Sequence, residues 1–93
     1  MLIGVMQVRL HLPNSGSLKG KRRILKSLKD RLKNKFNVSV AELENQDIWQ
    51  SSTIGMAIIS NDKQFANSVL SKAADLVNNQ PDIIVTDIQM EWL

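Results

Sequence analysis

Between Leu2 and Leu12 the chain alternates: Leu2, Gly4, Met6, Val8, Leu10 and Leu12 fall on one side, and Gln7, Arg9 and His11 on the other. A period of two with one apolar face predicts a half-buried strand. Pro13-Asn14-Ser15-Gly16-Ser17 has the chemistry of a loop. The period then lengthens to that of a helix. Leu18, Ile24, Leu25, Leu28, Leu32 and Phe36 share one stripe, predicting a helix over 18–36 with Ser17 as N-cap and Asn37 as stop.

The second half repeats this grammar. Residues 38–44 read as a strand, Asn45-Gln46-Asp47 as a turn, and 53–60 as a third strand with Ile54, Met56 and Ile58 inward. Ser60-Asn61-Asp62 caps a second helix over 63–78, whose expected core stripe is Phe65, Val69, Ala73, Leu76 and Val77. Pro81 forbids its continuation. A last strand over 83–92 is expected to turn Ile84, Ile88, Met90 and Trp92 inward, with Asp87, Gln89 and Glu91 outward. Met6, Met56 and Met90 read as core fillers.

The order βαββαβ, in one pass and without a linker, predicts a single α+β domain over 1–93. Its expected architecture is a ferredoxin-like sandwich, a four-stranded antiparallel sheet of order 4-1-3-2 with two helices on one face. Ninety-three residues leave no room for a second core.

Composition removes several kinds of chemistry. There is no cysteine and one histidine, so no thiolate nucleophile, disulfide or multi-His metal site is expected, and no cofactor. Gly16-Ser17-Leu18-Lys19-Gly20-Lys21-Arg22 fails as a P-loop, because three residues separate its glycines and Arg22 stands where Ser or Thr should bind magnesium. No run reaches the length of a membrane span, and the start lacks the basic opening of a signal peptide. The expectation is a soluble cytoplasmic protein that is not an enzyme.

Charge changes the picture most. Nine of the twelve Lys and Arg residues lie between Lys19 and Lys35 against one acid, Asp30, a local charge of +8 that leaves −5 for the remainder. On the helix, Lys19, Arg22, Arg23, Lys26, Lys29 and Lys33 fall within an arc of about 120° opposite the apolar stripe. Arg31 and Lys35 lie outside it, toward the edge of that stripe. A solvated face ordinarily mixes signs, whereas Lys19–Arg23, Arg22–Lys26 and Lys29–Lys33 repel, at roughly 0.2–0.5 kcal/mol each. Lys and Arg in the first turn also oppose the helix dipole. These six residues are therefore candidate phosphate contacts, with RNA or the ribosome as the expected partner.

A second candidate cluster is expected at one end of the sandwich, where His11, Lys21, Glu42, Asp47 and Trp49 converge. Lys21 falls on the helix's apolar side and should reach a carboxylate such as Glu42 or Asp47. The cluster reads as a buried ion pair bracing the helix start, with a small-anion site as the alternative. His11 reads as a hydrogen-bonding group, and Trp49 as a lid on the core. The open sheet face offers Gln7, Arg9, His11, Thr53, Gly55 and Ala57, none aromatic, which argues against base stacking of the RRM kind. Ile3, Val5, Ala57 and Ile59 share that face. It is expected either to be solvated or to join two copies, as is the edge of the fourth strand.

The chain resembles the YlxP-like family, small bacterial proteins catalogued as a domain of unknown function. The resemblance rests on Leu10-His11-Leu12-Pro13, Ser17-Leu18-Lys19-Gly20-Lys21-Arg22-Arg23, Phe36-Asn37-Val38-Ser39-Val40-Ala41-Glu42, Asp47-Ile48-Trp49-Gln50 and Ser60-Asn61-Asp62. It spans nearly the whole chain, with Ile48 where Leu is commoner. It implies the ferredoxin-like fold and, since such proteins are typically encoded among translation factors, a link to translation. It carries over no catalytic residues. The resulting expectation is a non-enzymatic RNA- or ribosome-associated accessory protein. The rivals are a module docking on an acidic protein, and an anion binder or enzyme using the His11 end.

Overall fold

The computed structural model describes residues 1–44 and 50–93. Asp47, Trp49 and the turn expected at Asn45-Gln46-Asp47 lie outside the described residues. The elements run β1 (Leu2–His11), α1 (Leu18–Lys35), β2 (Ser39–Glu44), β3 (Ser51–Ser60), α2 (Lys63–Asn78) and β4 (Ile84–Trp92). All three strand pairings are antiparallel, and the order β2-β3-β1-β4 is the expected 4-1-3-2 read from the other edge.

Met6, Val8 and Leu10 of β1, with Ile54, Met56 and Ile58 of β3, form the floor of one core cluster. The helices roof it. Leu25, Leu28 and Leu32 of α1 are fully buried, and each such side chain contributes roughly 1.5–3 kcal/mol. That exceeds the few tenths lost at each like-charge pair, so α1 forms despite its cationic face. Ser17 caps it, its Oγ accepting from Gly20 N at 3.0 Å. The helix ends one residue early, with extended Phe36 as C-cap and its N–H donating to Leu32 O. Gly20 is needed for close approach: a Cβ there would stand 2.1 Å from the Ser15 carbonyl oxygen.

Two parts of the expected core are corrected. On α2 the buried residues are Ala66, Leu70, Ala73, Ala74, Leu76 and Val77, while Phe65 is 60% exposed. Ranking by side-chain bulk rotates the expected stripe. Three of these six are alanines, Ala66 and Ala73 with no exposed surface.

On β4, a bulge between the Arg9 and Leu10 pairings sets Val85 against Leu10 and Ile84 against His11, so Ile84 turns to the outer face and is 52% exposed. Ile88 and Met90 do pair with Val8 and Met6 on the core side. They stay 39% and 38% exposed because β4 is an edge strand that α2 only partly covers, so Met90 does not fill the core. Trp92 folds back over Gly4, where a Cβ would meet its ring at 2.7 Å, and Lys63 Nζ lies 5.3 Å from the ring centroid.

Candidate nucleic-acid interface

The helical period carries five of the six candidate cations to the side of α1 away from its buried leucines, and Lys29 to the flank that meets β2. Lys19, Arg22, Arg23, Lys26 and Lys33 are exposed and Lys29 is half-buried. Two have carboxylate partners. Lys26 Nζ donates to Asp30 Oδ2 at 2.9 Å, one helical turn on. Lys29 Nζ lies 3.9 Å from Glu42 Oε2 on β2. Among the described residues, Lys19, Arg22, Arg23 and Lys33 form no ion pair.

Asp30, the one acid of this face, is held below its ordinary pKa of 3.8 by the hydrogen bond and charge of Lys26, with Lys33 and Lys29 adding to the effect. It therefore stays ionised at neutral pH and offsets one of the six charges. Arg23, Lys26, Ser27, Asp30, Arg31 and Asn34 line an open depression of about 390 Å³ on this surface.

A further cation lies beside it. Arg31 and Lys35 of α1 share a groove of about 330 Å³ with Lys72 and Asp75 of α2, and Arg31 also donates to the Gln80 side chain. Lys72 is far away in sequence, on a helix with no basic run. The available signal was the position of Arg31 and Lys35 near the apolar boundary, which is where a neighbouring helix packs.

At the end of the sandwich, three of the five candidate residues are described, and two of them form an ion pair. Lys21 is 1% exposed, its Nζ 3.8 Å from Glu42 Oε1, so Glu42 lies between two ammonium groups. This is the carboxylate partner that the helical azimuth of Lys21 implies. His11 Nδ1 lies 3.1 Å from the Gln50 carbonyl oxygen, which also accepts from Leu12 N. A carbonyl only accepts, so Nδ1 carries the proton in that bond. Among the described residues no group of three His, Asp or Glu side chains converges as a metal site, and no helix is long and apolar enough to cross a membrane.

The outer sheet face has an apolar centre. Leu43, at the bulge of β2, folds over Gly55 and lines a shallow groove of about 250 Å³ with Val5, Ser39, Ala41 and Ala57. The outward residues of the described strands include no aromatic side chain on which bases could stack.

A four-stranded antiparallel sheet of this order under two helices is a ferredoxin-like domain, here with a cationic first helix. The chain belongs to the family described as protein of unknown function (DUF503), whose model matches residues 3–90. It is 34% identical over 91 residues to the uncharacterized protein YlxP of Bacillus subtilis (strain 168), covering 98% of this chain and 99% of that relative. Among solved structures, SnoaB, a cofactor-independent oxygenase from Streptomyces nogalater, superposes with a TM-score of 0.57 at 8% identity, over 98% of this chain and 90% of the other. An acylphosphatase from Bacillus subtilis gives 0.51 at 19% identity, over 100% and 86%. The de novo designed protein Ferredog-Diesel gives 0.52 at 11%, over 96% and 83%. At such identities the likeness is one of fold alone.

Proposed function

We propose that this protein is a non-enzymatic, cytoplasmic accessory protein of RNA or the ribosome, holding backbone phosphates on the exposed face of α1. The observation that carries the reading is the set of four exposed cations, Lys19, Arg22, Arg23 and Lys33, without a carboxylate partner among the described residues. Repulsion along this face and against the helix dipole is relieved when an anion docks. Lys19 to Lys33 span about 21 Å of helix, the axial rise of roughly six base pairs of a duplex.

Lys26 and Lys29 take part only in competition with Asp30 and Glu42. Because phosphate contacts position rather than specify, and the described strands present no outward aromatic, recognition is of backbone and shape. The test is co-sedimentation with RNA and with ribosomes for the triple variant Arg22→Glu, Arg23→Glu, Lys26→Glu. Loss of sedimentation with an unchanged circular dichroism spectrum is expected. Unchanged sedimentation refutes the proposal, and a pull-down partner that survives nuclease treatment points to an acidic protein instead.

A further inference from the structure

β4 is an edge strand, paired on one side only, with β1. Ile3 and Leu93 exchange both backbone hydrogen bonds, at 3.2 and 2.8 Å. By the antiparallel alternation, Glu91, Gln89 and Asp87 therefore turn their backbone groups toward β1, while Ile88, Met90 and Trp92 turn theirs away from the sheet. The side chains of these three lie on the helix side of the sheet, where Ile88 and Met90 are 39% and 38% exposed. Hydrogen-bonding backbone and uncovered apolar side chains thus belong to the same residues. Edge strands are usually guarded by Lys, Pro or a bulge; β4 contains neither Lys nor Pro, and its bulge lies before Asp87, outside the 88–92 stretch.

We propose that the occupant is the β4 of a second copy, paired antiparallel about a two-fold axis at Met90. The stretch Ile88-Gln89-Met90-Glu91-Trp92 is palindromic in character, with apolar ends, polar flanks and a central Met. Met90 facing Met90 sets Ile88 against Trp92 on the helix side and the Gln89 amide against the Glu91 carboxylate on the outer side, each twice by symmetry. The amide donates and the carboxylate accepts. Shifting the axis by one residue to Gln89 sets Asp87 against Glu91, and shifting it to Ile88 runs the pairing into the bulge beyond Asp87. The Met90 register avoids both. It joins two sheets into one of eight strands, with all four helices on one side.

The charge distribution permits this pairing. Helix α1 packs on β2, at the opposite edge of the sheet. The two cationic helices then stand about 30 Å apart at strand spacings of about 4.8 Å, several Debye lengths at physiological salt.

The test uses the whole chain, which has no native cysteine. Multi-angle light scattering at micromolar concentration is expected to give twice the chain mass for the wild type and the monomer mass for Met90→Lys, with the circular dichroism spectrum retained. Met90→Cys is expected to form a covalent dimer on oxidation or with a short bismaleimide, because hydrogen-bonded partners bring Cα atoms to about 5.5 Å. Ala57→Cys, on the open sheet face, is expected not to. A monomeric wild type, a Met90→Lys dimer as tight as wild type, or crosslinking through Ala57 in place of Met90 would each overturn the proposal.

Discussion

Intrinsic propensity and tertiary packing give opposite signs at Gly20, and Gly20→Ala separates them. Propensity favours alanine within a helix by about 1 kcal/mol. Yet the added Cβ would stand 2.1 Å from the Ser15 oxygen and 3.2 Å from its carbonyl carbon, both backbone atoms that no rotamer change can move. Carbon and oxygen rest at roughly 3.3 Å or more, so the Ser15 peptide must retreat by about 1.2 Å. Ser15 is buried, and the Ser17 cap belongs to the same loop. Loss of the cap costs about 1 kcal/mol and overpacking about 1–3, leaving a net destabilisation of about 1–3 kcal/mol after the propensity gain is subtracted. In a domain of this size that lowers Tm by about 5–20 °C. Urea unfolding followed by circular dichroism measures it, with Ser27→Ala on the exposed face of the same helix as a control expected to stabilise by a few tenths of a kcal/mol. If Gly20→Ala matches the control, the close approach of loop and helix is refuted.

Other outcomes follow from the charges. With four cations that have no carboxylate partner among the described residues, log affinity for single-stranded RNA should fall with log salt at a slope of about −2.8, and for duplex at about −3.6; a slope near zero in a salt titration refutes phosphate contact. Asp30→Asn frees Lys26, so binding should tighten and the slope steepen by about 0.7 in the same titration. Because the folded pKa of Asp30 lies below 3.8, its contribution to stability is present at neutral pH and lost as pH falls through that depressed value. The stability difference between wild type and Asp30→Asn should therefore close in acid, as measured by denaturant midpoints across pH. Glu42→Gln withdraws the carboxylate between Lys21 and Lys29 and should cost roughly 1–3 kcal/mol, less than a fully buried pair because Glu42 still meets water. An unchanged urea midpoint would show that Glu42 does not brace the helix start.

Much of the site was legible because a helix of known period turns sequence positions into directions. Lys21 is the clearest case: its azimuth put it among the leucines, and an ammonium there must find a carboxylate, which Glu42 supplies. The same period placed Lys19, Arg22, Arg23 and Lys33 in solvent. It could not show that Glu42 also reaches Lys29 across from β2, nor that Lys72 of α2 closes a groove with Arg31 and Lys35. Those are distances between elements, which no local pattern encodes.

The order of elements, the two alternating faces of β1 and the polarity of α1 belong to the sequence itself, since each arises from side-chain direction within one element. Where the helices lie on the sheet was decided only in three dimensions. Their placement leaves Phe65, Ile88 and Met90 in solvent and puts three alanines at the α2 contact. Burial is a property of neighbours, and an edge strand has a neighbour on one side only.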